Sequence, residues 1–285
     1  MRSPRVLVCG HVTLDRYGEE MLPGGSAYYA GQAYHALGAR VSVATAAGAD
    51  FPRGALEGVE AQVAPARSTT SFENRYALDG RRSQLVTALA PPVDPAALAP
   101  AWRTADVLHL APIAAEIDVR IWRQAVRARI VGVGLQGLVR AVLPGGEVAQ
   151  PRWEFDPDHL AGVGAVFVGE DDLAGQGDLL DRLASAVPIV AFTKGERGCE
   201  VITRGRTQRV GVFRTREVEP TGAGDVFAAG FLLALARGES PVEAARLGTA
   251  AASVVVEARA GEALWRVGEA YARLSAVPFS SPSGP

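Results

Sequence analysis

Short apolar runs rich in valine and isoleucine recur along the chain at residues 6–9, 41–44, 107–110, 130–133, 165–168 and 189–193. Runs of this length without polar alternation predict strands buried on both faces, the pattern of a parallel sheet covered by helices. Apolar positions at helical spacing predict helices over residues 26–37, 118–127, 223–237, 241–256 and 261–274. Strand and helix therefore alternate, as in a doubly wound, mostly parallel α/β sheet. One stretch breaks the rhythm: residues 70–76 and 83–87 alternate polar with apolar around Asp79-Gly80, the signature of a hairpin. With residues 14–22 it would form a small sheet over the strand ends, a lid able to exclude water.

Composition narrows the class. With 285 residues, 48% hydrophobic and 21% charged, the chain can bury a large core. A net charge of -2 gives no electrostatic reason to expect nucleic acid or a membrane surface as partner. No apolar segment approaches the length of a membrane span, and residues 1–5 lead directly into the first strand without room for a signal peptide, so the cytoplasm is the expected compartment. Cys9 and Cys199 lie in or beside apolar strands and read as small buried hydrophobes. Lys194 is the only lysine and Gly195 follows it, which rules out a Walker-type phosphate loop. The six residues 280–285 read as a disordered tail; no internal repeat or linker is evident.

The most informative segment is Pro220-Thr221-Gly222-Ala223-Gly224-Asp225, which opens the predicted helix over 223–237. Small residues there let backbone N–H groups converge on one point, where the helix terminus favours a phosphate. Asp225, in the first turn, is placed to accept a proton from an alcohol, and the two parts together suit in-line phosphoryl transfer. The same six residues also suit an ordinary helix start with an acidic dipole partner.

Three further matches in the right order decide between these. Pro23-Gly24-Gly25 precedes a helix ending Ala36-Leu37-Gly38-Ala39, Gly48-Ala49-Asp50 forms a G-x-D turn, and Thr193-Lys194-Gly195-Glu196-Arg197-Gly198 a T-x-G-x-x-G turn. With the P-T-G-A-G-D-x-F-x-x-G-F run from Pro220 to Phe231, the chain resembles the PfkB or ribokinase-like carbohydrate kinases from Val6 to about Gly261. The resemblance implies a three-layer α/β/α sandwich with a mostly parallel central sheet and a small β lid from about 11–22 and 68–90, within a single domain spanning 1–285.

The resemblance also implies roles. Asp225 becomes the catalytic base, and Gly222, Ala223 and Gly224 the anion hole. Asp15, with Gly24 and Gly25, would bind substrate hydroxyls, and Tyr29 falls where many sugar kinases carry an asparagine that reads them. Thr193, Gly195, Gly198, Thr221 and Thr249 would flank the nucleotide. ATP and Mg2+ are the implied cofactors, a small sugar, polyol, cyclitol or nucleoside the implied acceptor. An open lid edge leaves room for a homodimer.

The chain departs from the family pattern at three places. Gly169-Glu170-Asp171-Asp172 replaces N-x-x-E, so Asp172 would reach the metal through water. Glu219 replaces an aspartate, which bears on a monovalent-cation site that some relatives build there. The third departure is Tyr29 itself. These changes keep a second reading open, a nucleotide-binding regulator that has lost turnover.

From the residues themselves, Gln136 and Arg140 follow the strand at 130–133 and are candidates to line the acceptor pocket, as is Arg75 on the hairpin. Gly132-Val133-Gly134-Leu135-Gln136-Gly137 matches G-x-G-x-x-G, but Pro144-Gly145-Gly146 follows too soon for the helix that a dinucleotide needs. His11, His35, His109 and His159 have no metal-ligand spacing, and no G-x-S-x-G motif accompanies them.

Overall fold

The computed structural model describes residues 2–76, 82–173 and 175–276. The hairpin tip at Asp79-Gly80, the Arg75 side chain and the tail at 278–285 lie outside the described residues.

The six predicted strands form, all but the last longer than predicted: β1 (Arg5–Cys9), β4 (Arg40–Ala47), β8 (Thr104–Leu110), β9 (Arg127–Gly134), β12 (Ala165–Gly169) and β13 (Ile189–Thr193). With β5 (Glu60–Pro65), β14 (Cys199–Thr203) and β15 (Arg206–Val210) they make a nine-stranded sheet among the described residues, ordered β15-β14-β13-β12-β9-β8-β1-β4-β5. Pairing is parallel from β5 through β13 and antiparallel only at β13–β14 and β14–β15.

Successive residues of the central strands supply opposite faces, because side chains alternate along a strand. Val6 and Val8 join one buried cluster with Phe227, Phe231 and Leu232 of α4 (Ala223–Ala236) and Ala250 and Ala251 of α5 (Pro241–Val255). Leu7 and Cys9 join the other, with Trp122 of α2 (Val119–Ala125) and Leu179 and Leu183 of α3 (Leu179–Ala186). The result is the expected three-layer sandwich. Burying each such leucine contributes about 2 kcal/mol. Both cysteines are buried free thiols, Cys199 pushed up to about 12 by desolvation, so neither is a nucleophile at neutral pH.

Helix α4 is apolar all round because it lies between the sheet and α5. At their crossing, a Cβ on Gly230 would stand 3.1 Å from the Cα of Gly248, so the two backbones approach where side chains are missing.

The second sheet also forms: β2 (Thr13–Tyr17), β3 (Glu20–Gly24), β6 (Thr70–Tyr76) and β7 (Arg82–Ala88) in the order β3-β2-β6-β7. A short hairpin of β10 (Ala141–Val142) and β11 (Val148–Ala149) follows β9 in the chain, and the G-x-G-x-x-G segment runs into turns, not a helix.

Helix α1 (Ser26–Ala36) starts where the di-glycine predicts. The last predicted helix is different: residues 264–269 wind as a 3-10 helix and α6 begins only at Ala270. That segment presses against α1, where a Cβ on Gly268 would lie 2.9 Å from the Ala36 carbonyl oxygen, and it adopts a tighter winding there. Among the described residues no helix is long and apolar enough to cross a membrane.

Candidate active site

The parallel strands diverge at β1, with β4 on one side and β8 on the other, and a cleft of 1020 Å³ opens where such sheets bind ligands, at the carboxyl ends of the strands. A smaller hollow of 440 Å³ lies at the opposite strand ends beside Arg5, Arg40 and Trp102, and holds no paired base and helix terminus.

The N-terminus of α4 forms one wall of the cleft. Gly222 caps it in the left-handed region (φ 80°, ψ -4°), and a Cβ there would lie 2.2 Å from Cδ1 of Tyr29. Only glycine satisfies both the turn and the ring packed on it. The Ala223 amide donates to the Pro220 carbonyl at 3.1 Å, closing the turn. Of the expected anion-hole donors, Ala223 is thus engaged, while helix geometry leaves the Gly224 and Asp225 amides without intrahelical acceptors. A Cβ on Gly224 would meet nothing within 4 Å, so this edge stays open.

Asp225 borders the cleft and accepts a hydrogen bond from the Ser26 hydroxyl at the start of α1. Desolvation pushes its carboxyl up to about 6, helped by the Asp172 charge and opposed by Ser26 and Arg140. A base poised there is largely ionised at neutral pH yet still basic enough to take a proton. Arg140 thus acts on Asp225 and, by the same attraction, on Asp172.

Asp172 is buried, and its Oδ2 accepts from the Gly169 amide at 2.9 Å, closing the turn after β12. Its Oδ1 is buried without a hydrogen-bond partner. Among the described residues no group of three or more His, Cys, Asp or Glu could hold a metal by protein ligands alone. The donor set fits a Mg2+ ion held mostly by phosphate oxygens and water, with Asp172 on its outer side. A monovalent cation at Glu219 would have to share that carboxylate with its present donors. Both oxygens of that carboxylate already accept, from the Thr221 and Tyr17 hydroxyls and from the Ala260 amide.

On the acceptor side, Asp15, Gly25, Tyr29, Gln136 and Arg140 all border the cleft. Gly24 does not. A Cβ on it would lie 2.4 Å from Asp15 Oδ2 and 2.9 Å from Thr13 Oγ1, so its bareness seats those side chains. Tyr29 is buried with its ring on Gly222, so it shapes the anion hole as well as the acceptor wall.

Thr13, Ser26 and His109 line the cleft without having been singled out in the sequence. The Thr13 Oγ1 is buried and without a partner, an unspent hydroxyl beside Asp15. Burial lowers His109 to about 3, so a neutral ring forms part of the pocket lining. Ser26 alone carried a signal, as the first polar residue after the di-glycine.

On the donor side, Thr193, Gly195, Gly198, Thr221 and Thr249 border the same cleft. The Thr193 hydroxyl donates to the Val168 carbonyl at 3.4 Å and that of Thr249 to the Arg246 carbonyl at 3.0 Å, so both serve the frame first. Val212, Phe213, Ala252 and Val256 add an apolar lining. Lys194 pairs with Glu200 at 2.7 Å, and Arg197 with Glu170.

Residues 165–265 match the family described as pfkB family carbohydrate kinase. An inositol 3-kinase of Oryza sativa subsp. japonica is 31% identical over 80% of this chain and 61% of its own length. A cytidine kinase of Thermococcus kodakarensis is 24% identical over 88% and 96% respectively. A pyrophosphate-dependent kinase in the ribokinase family, solved with a pyrophosphate analog and myo-inositol, superposes with a TM-score of 0.77 at 23% identity, over 93% of this chain and 99% of that one. The motif order, the match over residues 165–265 and the shared fold agree on a phosphotransferase that resembles the pfkB carbohydrate kinases and is built on the ribokinase fold.

Proposed function

We propose that this kinase transfers the γ-phosphoryl group of ATP to a hydroxyl of a small, uncharged sugar, polyol or cyclitol. The observation that carries the reading is the single cleft bordered by Asp15, by Asp225 and by the open N-terminus of α4. In it, Asp15 and Thr13 hold acceptor hydroxyls, and Asp225 takes the proton of the attacking hydroxyl as the new O–P bond forms and ADP leaves. The Gly224 and Asp225 amides and Arg140 balance charge on the transferred group. When bound, Mg2+ supplies neutralisation of the triphosphate.

Two features define the ligands. Lys194 and Arg197 are paired on the donor side, and Arg140 acts on Asp225 and Asp172 near the transfer point. The apolar lining by Val212, Phe213, Ala252 and Val256 suits a flat base and supports a nucleotide donor over pyrophosphate. A nucleoside acceptor is the second reading, favoured by Phe72, Ile113 and Phe167 along the same cleft. The small sheet acts as a lid on a single domain, in a cytoplasmic enzyme able to pair as a homodimer.

Product release measured with ATP and with pyrophosphate, across cyclitols, sugars and nucleosides, tests this. Turnover of a cyclitol or sugar with ATP is expected, and loss of nearly all of it in Asp225→Asn with little change in ATP affinity. Silence with every acceptor would favour the regulator, and substantial turnover in Asp225→Asn would remove the base from its role.

A further inference from the structure

Glu219 joins parts of the molecule that are distant in sequence. Its Oε1 accepts from the Tyr17 hydroxyl at 2.7 Å across 202 residues and also from the Thr221 hydroxyl. Its Oε2 accepts from the Ala260 amide at 2.9 Å, at a residue held in the left-handed region (φ 47°). Tyr17 is the last residue of β2, and Glu20 the first of β3. The Arg259 guanidinium covers the Tyr17 ring at 4.9 Å and bonds Glu20 Oε2 at 3.0 Å. The turn between β2 and β3 is thereby fastened to residues 259–260 and to the segment that leads into Gly222.

Asp15 lies two residues before Tyr17 on the same strand, so both side chains leave the same face. An acceptor held by Asp15 therefore acts on the strand whose end carries the Tyr17 hydroxyl. On the other side, Thr221 immediately precedes Gly222, and the Tyr29 ring packs on Gly222 within electrostatic reach of Tyr17, Asp15 and Glu219. The chain of neighbours is held by hydrogen bonds, an ion pair and packed rings.

We propose that Glu219 is a positioning residue: with the Tyr17 hydroxyl as its lid-side donor, it holds the Gly222–Asp225 turn in place for phosphoryl transfer. The proposal rests on the phosphotransfer reading above and adds a cause for the Asp-to-Glu departure at this position. The longer side chain spans to Tyr17 and Ala260 while keeping Thr221.

The test is a double-mutant cycle on the full chain with Tyr17→Phe, Glu219→Gln and the pair. A glutamine keeps one acceptor oxygen but presents N–H groups where the second carboxylate oxygen now accepts. Each single variant is expected to lower kcat about tenfold with acceptor KM changed by less than about twofold, because misalignment acts on the transition state and not on ground-state binding. The double variant is expected to be no slower than Glu219→Gln alone, since both changes break one relay. Wild-type kcat in Tyr17→Phe, or losses that multiply in the double variant, would overturn the proposal. If Glu219→Gln does not fold, Tyr17→Phe decides alone: a lowered kcat at unchanged KM supports the relay, an unchanged kcat overturns it. A wild-type enzyme that phosphorylates no acceptor would instead strike the phosphotransfer reading beneath it.

Discussion

The Ser26 hydroxyl donates to the Asp225 carboxylate, so the first turn of α1 holds the side chain at the first turn of α4. Burial raises that carboxyl to about 6, and the hydrogen bond opposes the rise. Since the ionised form is the base, kcat/KM is expected to fall below pH 6, approaching tenfold per unit. Ser26→Ala removes a bond that favours the ionised form, so the acid limb of the profile should move to higher pH. A pH–rate profile of both proteins checks the sign; an unmoved limb would detach Ser26 from the titration.

Gly222→Ala must place a Cβ 2.2 Å from the Tyr29 ring at φ 80°. Backbone strain of this kind costs about 1–3 kcal/mol. A lower Tm together with lost turnover is expected, whereas Gly224→Ala, whose Cβ meets nothing within 4 Å, should keep the wild-type Tm. Thermal unfolding of the two variants separates strain in the turn from crowding of the cleft.

Arg140 lowers the carboxyls of both Asp225 and Asp172. Arg140→Met should therefore reduce kcat by about 10²–10³, the usual loss for one preorganised charge-balancing group. It should also shift the acid limb upward, in the same direction as Ser26→Ala. An effect confined to acceptor KM would return Arg140 to the acceptor pocket alone.

Because the Glu219 carboxylate already accepts from Tyr17, Thr221 and Ala260, turnover should be the same in potassium and in tetramethylammonium salts of equal ionic strength. Strong activation by potassium would place a cation among these oxygens.

The sheet was legible because its strands are buried on both faces, so Val6–Cys9 or Ile189–Thr193 show as unbroken apolar runs. The glycine turn before α4 was legible because a left-handed cap before an apolar helix needs the Gly222 that stands there. Thr13 and His109 were not, since each gains its place from packing between distant segments, and a threonine or a histidine in a strand carries no local mark of it. Gly24 shows the converse. Its position was readable, but its use is to make room for Asp15 and Thr13. The 3-10 winding at 264–269 likewise follows from contact with α1, which the apolar spacing of the segment does not encode.

The bare backbone contact between Gly230 and Gly248 leaves α4 and α5 little freedom to slide. The N-terminus of α4 and Thr249 and Ala252 of α5 border the same cleft. On the proposed reading, the recess for the leaving group and the cradle for the migrating phosphoryl are therefore cast as one piece. A methyl group added at this crossing, at glycines that do not themselves border the cleft, would spread the two apart and misregister the donor with its target, so inactivating changes are to be expected there.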